Sequence, residues 1–200
     1  MSDHYYSQKP TVKSERKTWE FTLKGQLFTF HSDRGVFSKK EVDFGSRLLV
    51  DTFKLPDIQG DILDVGCGYG PVGLSIAKHY NRHVDLIDIN ERAIELTIEN
   101  ATVNAIENVT IFQSDLFQNI ADDREYAVVL TNPPIRAGKI VVHSIFEESY
   151  KRLVSGGELW IVIQKKQGAP SAINKLNEWF SEVDIVEREK GYYIIRAKKS

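Results

Sequence analysis

The sequence predicts an α/β fold: an open, mostly parallel sheet with helices on both faces. From residue 61 onward, short apolar runs alternate with amphipathic stretches, which is the pattern of successive βαβ units. The two most distinctive motifs, Gly66-Cys67-Gly68-Tyr69-Gly70 and Asn132-Pro133-Pro134, each follow an apolar run directly, where such a sheet presents the carboxyl ends of its strands. Near the end of the chain, the final two strands are separated only by Glu189-Lys190-Gly191. That link is too short for a parallel crossover, so those strands pair antiparallel.

The elements follow in order. Residues 1–15 are polar, lack apolar periodicity and read as a loosely held terminus. Residues 18–31 form an N-terminal β-hairpin, because Trp19, Phe21 and Leu23 alternate with polar residues, Lys24-Gly25-Gln26 supplies a turn, and Phe28 and Phe30 resume the alternation. The hairpin is expected to cover core rather than to contact a partner molecule or a second chain. The α/β core spans 41–200. Asp43 is placed to cap a short helix carrying Leu48, Leu49 and Phe53.

Strands are expected at 61–65, 83–87, 108–112, 126–131, 158–164, 182–188 and 192–198. Pro71 suits the first turn of the helix after the glycines, where a missing N–H costs nothing. Asn90 can cap a helix whose buried face is read as Ile94, Ile98 and Ala101. Val142, Ile145, Ser149 and Leu153 mark the next helix, which Gly156-Gly157 is expected to end. Ile173, Leu176 and Phe180 mark the last helix, after Pro170.

Two hundred residues with 42% hydrophobic content suit one domain, 1–200, with a sizeable core. The first 17 residues carry no apolar segment of the signal-peptide kind, and no run approaches the roughly 20 apolar residues of a membrane span. A cytoplasmic location is expected, with no membrane partner. Cys67 is the single cysteine, so no internal disulfide forms. The net charge of −2 gives no bulk basic signature, and any nucleic-acid contact must come from local patches. The candidates are Arg34 with Lys39 and Lys40, Arg136 with Lys139, and Lys165 with Lys166.

Alternating glycines behind a buried strand leave the backbone free to turn sharply and to approach a ligand. The stretch Gly68-Tyr69-Gly70-Pro71-Val72-Gly73 formally matches the dinucleotide fingerprint, with Asp88 about twenty residues on, so a dehydrogenase is one reading. A different register is given by Asp64 and Gly66, which precede that match. Asp64-x-Gly66-x-Gly68-x-Gly70 resembles the signature of class I S-adenosylmethionine-dependent methyltransferases, and the resemblance runs from about residue 35 to the C-terminus.

That resemblance implies a Rossmann-like seven-stranded sheet with an antiparallel last strand, and S-adenosylmethionine as cofactor. It places Asp64, Gly66, Cys67, Gly68 and Gly70 at the methionine end, with Asp64 near its amino group. Asp88 would meet the ribose hydroxyls and Asp115 the adenine amino group, with Ile89 and Leu116 also at the cofactor. Taken singly, each acid could be a helix cap or a turn, but together they fall at three consecutive strand ends.

Asn132-Pro133-Pro134 resembles the motif of methyltransferases that modify planar amines, which makes these three residues the catalytic candidates, with Asn132 also beside the cofactor. An exocyclic amine is a poor nucleophile because its lone pair is delocalised into the ring. Acceptors at the Asn132 side chain and the Pro133 carbonyl would let the nitrogen pyramidalise. Catalysis is then mainly positioning, and no metal is required.

The segments Gly35-Val36-Phe37-Ser38-Lys39-Lys40 with Asp43-Phe44-Gly45-Ser46, and Asn132 through Lys139, resemble bacterial small-subunit ribosomal RNA (guanine-N2)-methyltransferases, in a short single-domain form. The resemblance implies ribosomal RNA or the small ribosomal subunit as partner, Phe37 beside the cofactor, and Ile135, Arg136, Lys139, Lys165 and Lys166 toward substrate. Adenine N6, protein glutamine, and a non-catalytic ribosome-assembly role are the alternatives. Many amine methyltransferases place an aromatic where this chain has Ile135, so another side chain is needed to grip the target ring.

Overall fold

A computed structural model of the chain describes residues 8–9, 11, 13–36 and 41–200. Phe37, Lys39 and Lys40 lie outside the described residues.

A hairpin of β1 (Lys17–Leu23) and β2 (Gln26–Ser32) precedes the sheet, with Lys24 and Gly25 alone forming its turn at φ 47° and 74°. Two positive φ values in a two-residue connection match the right-handed twist of the strands. The order then runs α1 (Phe44–Thr52), β3 (Ile62–Val65), α2 (Pro71–Tyr80), β4 (Val84–Asp88), α3 (Glu91–Val103), β5 (Val109–Gln113), β6 (Tyr126–Thr131), α4 (Lys139–Arg152), β7 (Leu153–Gln164), α5 (Ala169–Leu176), β8 (Glu182–Glu189) and β9 (Tyr192–Lys198).

The seven strands after the hairpin form one sheet in the order β5-β4-β3-β6-β7-β9-β8, with β9 antiparallel to both its neighbours. The sheet is Rossmann-like, as the sequence predicts. Lys190 and Gly191 make the β8–β9 turn, again with positive φ. Strands β3 and β6 are buried along their whole length, as expected for central strands covered on both faces.

Alternation along the strands divides the core. Ile62, Val128, Leu130, Trp160 and Val162 join α1, α2, α3 and the hairpin in one cluster, whereas Leu63, Val65, Val129, Ile161 and Ile163 pack with α4 and α5 in another. Phe28 and Phe30 are fully buried in the first cluster, so the hairpin does cover core. It is fastened by two amides one helical turn apart, Asn100 on α3 and Asn104 at its C-cap. Asn104 Nδ2 donates to Thr29 O and its Oδ1 accepts from Thr29 N–H; Asn100 makes the same pair of bonds with His31. Ahead of β1, Ser14 Oγ and Glu15 N–H donate to the Asp33 carboxylate.

Three expectations need correction. Helix α5 ends at Leu176, with Asn177 as its cap, so Phe180 is buried beyond the helix and not on it. Helix α4 ends at Arg152, and β7 begins at Leu153 rather than after Gly157. Leu153 pairs with Tyr126 while Glu158 already pairs with Val128, so the residues between bulge out of the β6–β7 ladder, and Gly156-Gly157 sits in that bulge. On α3, Ile94 and Ala101 are buried as expected but Ile98 is 48% exposed, and the buried face also takes in Ala93, Leu96, Thr97 and Asn100. Helix α3 packs against both β2 and the β4–β5 edge, so its buried stripe turns toward the polar Thr97 and Asn100. No helix among the described residues is long and apolar enough to cross a membrane.

Candidate active site

Strand order reverses at β3, whose neighbours are β4 on one side and β6 on the other. The register pairs Val65 with Thr131, so the glycine turn after β3 and Asn132 after β6 leave the sheet side by side. Thr131 Oγ1 donates to Val65 O at 3.0 Å and ties the two ends together. Beyond them opens a cavity of about 600 Å³, large enough for a nucleoside-sized ligand.

The glycine turn forms one wall. The N–H groups of Gly66 and Cys67 both donate to Ile87 O at 2.9 Å, and Thr97 Oγ1 donates to Gly68 O at 2.8 Å. Gly68 has φ 58°, and no atom lies within 4 Å of the position a Cβ would take. Its bare backbone therefore faces open space. At Gly73, in the first turn of α2, a Cβ would fall 2.5 Å from Leu86 Cδ2 and 2.8 Å from Asp64 Oδ2. Glycine there lets the helix sit close on the sheet, and Gly73 N–H reaches Asp64 Oδ2 at 2.8 Å.

The acids differ in setting. Asp64 is buried, and burial raises its carboxyl to about 7, against the opposing bond from Gly73 and with the Asp88 charge adding to the rise. Burial also lifts Asp88 to about 6, although the N–H groups of Asn90 and Gly68 hold it back by donating to Oδ1 at 2.8 Å and Oδ2 at 2.9 Å. Asp115 is exposed on the loop after β5. Ser114 anchors that loop: its Oγ donates to Leu116 O and accepts from Asn119 N–H. Burial together with the Asp88 and Asp64 charges pushes the Cys67 thiol well above its ordinary value, so it stays protonated and is a poor nucleophile.

Pro133 and Pro134 lack the N–H groups a strand would need, and the chain turns after Asn132 into a short 3₁₀ turn, Ile135–Ala137, before Gly138 at φ 100° starts α4. The Asn132 side-chain nitrogen donates to Asp43 Oδ2 at 3.2 Å and to Ser46 Oγ at 3.1 Å. Asp43 also caps α1, accepting from Ser46 N–H at 3.0 Å.

The cavity lining brings together Asp64, Gly66, Cys67, Gly68, Asp88, Ile89, Asp115 and Leu116 with Asn132, Pro133, Pro134, Ile135 and Arg136. Gly70 is set back as the cap of α2, where a Cβ would meet Leu74 Cδ1 at 2.7 Å. Lys139, at the start of α4, and Lys165 and Lys166, just past the end of β7, are exposed and do not line the cavity.

The sequence reading missed Gln164, Gln167 and Tyr192, all in the lining, and gave Asp43 and Ser46, within a segment it quoted, no part in the site beyond the cap. For Tyr192 a signal existed. In an antiparallel hairpin the residue just past the turn lies at the carboxyl end of the neighbouring parallel strand, and Tyr192 pairs with Gln164 at the end of β7.

A sheet of this order, with a glycine turn and Asn-Pro-Pro on adjacent strand ends opening into one cavity, defines a methyltransferase of Rossmann-like fold. The chain belongs to the methyltransferase small domain family, whose model matches residues 27–196. It is 64% identical, over the full length of both chains, to an uncharacterised Bacillus subtilis protein, YbxB. It is 34% identical over 189 residues to ribosomal RNA small subunit methyltransferase C of Vibrio cholerae, covering 92% of this chain but 53% of that protein. The chain thus spans about half the length of those ribosomal RNA methyltransferase relatives. Among solved structures, T. thermophilus RsmC, a 16S rRNA guanine-N2 methyltransferase in complex with AdoMet and guanosine, superposes with a TM-score of 0.85 at 22% identity. The match covers 96% of this chain and 52% of that one.

Proposed function

We propose that this chain is an S-adenosylmethionine-dependent methyltransferase acting on the exocyclic N2 amine of a guanine in small-subunit ribosomal RNA. The observation that carries the reading is the juxtaposition of Asn132-Pro133-Pro134 with the glycine turn on neighbouring strand ends, opening into one cavity. The small-subunit ribosomal RNA methyltransferases that match over half their length, and the guanosine bound by the structurally similar RsmC, support the choice of substrate.

The residues fit this cofactor. The bare Gly68 backbone leaves space against the wall of the cavity, and a carboxylate, with roughly four acceptor positions, has more than the backbone N–H groups of Gly68, Ile89 and Asn90 occupy at Asp88. Asp88 would hold the ribose hydroxyls, Asp64 the amino group and Asp115 the adenine amine. When bound, the cofactor supplies a sulfonium-activated methyl group. The chain's part is positional. The Asn132 side-chain oxygen and the Pro133 carbonyl accept the two amine hydrogens, draw the nitrogen out of conjugation and aim its lone pair into the cavity. A guanine within folded RNA must be extruded to reach that point, at a cost of roughly a few kcal/mol. Arg136 at the rim, with Lys139, Lys165 and Lys166 beyond it, would offset part of this through phosphate contacts.

The test is methyl transfer from labelled cofactor to small-subunit RNA, naked and as assembled subunits, with mass mapping of ribosomal RNA from cells with and without the gene. One N2-methylguanosine that disappears with the gene is the expected result. Label on adenine or on protein would replace the substrate, and no transfer to any of them would overturn the enzyme reading.

A further inference from the structure

Asn132 is useful only in one of its two amide orientations. With its oxygen toward the substrate it accepts from an amine; turned over, it would present its own N–H groups to the amine's hydrogens and repel them. Nothing in Asn-Pro-Pro itself chooses between the two.

We propose that Asp43 and Ser46 are positioning residues that select the accepting orientation of Asn132. The inference rests on the reading of Asn132 as the amine acceptor. Asp43 Oδ2 and Ser46 Oγ lie 3.2 Å and 3.1 Å from Asn132 Nδ2, and each takes one of its two hydrogens. A carboxylate can only accept, so the end of the amide facing Asp43 is the nitrogen, and the oxygen turns away from α1. In the reversed orientation the amide oxygen would meet the carboxylate, and the same residue that favours one state disfavours the other.

The anchors themselves are well held. Ser46 is 4% exposed, Leu49 and Val50 on the same helix are fully buried, and Asp43 Oδ2 is fixed by Ser46 N–H at 3.0 Å. A helix cap and a substrate acceptor 89 residues apart therefore share one oxygen.

The experiment combines Asp43→Ser, which keeps a capping hydroxyl, with Ser46→Ala, which keeps the helix. Methyl transfer to small-subunit RNA, cofactor affinity by calorimetry and solvent exchange of the Asn132 side-chain NH₂ by NMR are measured on both proteins. The expected result is a kcat lowered roughly ten- to a hundredfold, from a displaced acceptor, with cofactor affinity unchanged and faster exchange of the Asn132 amide. Asp43→Asn alone, whose amide oxygen can still cap and accept, should keep most of the rate. The proposal is overturned if the double variant retains the parent kcat, or if its Asn132 amide exchanges as slowly as before. A parent protein that methylates no RNA would overturn the functional reading instead; amide exchange would then decide the anchoring, faster exchange supporting it and unchanged exchange overturning it.

Discussion

The backbone N–H of Gly68 donates to Asp88 Oδ2 at 2.9 Å, so the acid proposed to meet the ribose also fixes the turn proposed to meet the methionine end. Asn90 N–H occupies the other oxygen, which leaves the carboxylate with a backbone donor at each end. Asp88→Asn is therefore not a conservative change: in either orientation its NH₂ faces an N–H. Losing a charge-assisted bond of about 1.5–3 kcal/mol should weaken cofactor binding roughly ten- to a hundredfold. Calorimetry checks this, and an unchanged affinity would remove Asp88 from the cofactor site.

Asp64 gives a pH dependence with a definite sign. An unfolded aspartate ionises near 3.8, whereas burial raises Asp64 to about 7 in the folded protein, and Asp88 to about 6. The stabilisation from these groups is fully present below pH 3.8 and is lost as pH rises through 6 and 7, because the folded protein then holds a buried charge. A cationic amino group beside Asp64 favours the ionised form. Cofactor affinity should accordingly tighten from pH 6 to pH 8, with proton release on binding, and Asp64→Asn should flatten the profile. Titration calorimetry in two buffers of different ionisation enthalpy measures both, and a flat parent profile would contradict the assignment.

Asn132→Ala removes the proposed acceptor and leaves the glycine turn untouched. By analogy with the loss of one preorganised hydrogen-bonding group, kcat should fall roughly a hundred- to a thousandfold while cofactor affinity changes little. Single-turnover transfer from labelled cofactor separates the two quantities, and a variant with near-parent turnover would exclude Asn132 from catalysis.

The parts of this site that were legible in the sequence are those that a single segment encodes. Gly66 to Gly70 behind an apolar run, and Asn132-Pro133-Pro134 behind another, announce strand ends because glycine and proline have few other uses there. The β8–β9 hairpin was legible for a similar reason: three residues cannot span a crossover. The start of β7 was not, because Leu153 continues the apolar spacing of α4 and the bulge at Gly156-Gly157 imitates a helix stop. The bond from Asn132 to Asp43 could not be read at all. It joins a cap to a strand end 89 residues away, and only the packing of α1 on the sheet brings them together.

The basic residues around the cavity make a prediction about salt. If Arg136, Lys139, Lys165 and Lys166 contact phosphates, log affinity for the RNA should fall linearly with log salt concentration, with a slope reduced by about 0.7–0.9 for each contact removed. Lys165→Ala with Lys166→Ala should lower the slope and leave cofactor affinity as it was. Filter binding of small-subunit RNA over a salt series tests it, and a slope unaltered by the double change would place both lysines off the RNA path.

Tyr192 is proposed to supply the aromatic ring that the position of Ile135 lacks. It lines the cavity from the first residue of β9, its ring sits 5.4 Å from that of Phe44 at 50°, and Gly45 lies so close that a Cβ there would be 3.0 Å from Tyr192 Cε1. The ring is thus held from behind by α1, the same helix that anchors Asn132, and needs no partner from the catalytic loop to stay in place. Stacking on a base is worth about 1–3 kcal/mol, so Tyr192→Ala should raise KM for the RNA roughly five- to a hundredfold, and Tyr192→Phe, which keeps the ring, should stay near the parent. Steady-state kinetics with RNA and cofactor varied separately distinguish this from a cofactor contact. A rise in the cofactor KM alone would assign the ring to the cofactor and leave the target base to Ile135.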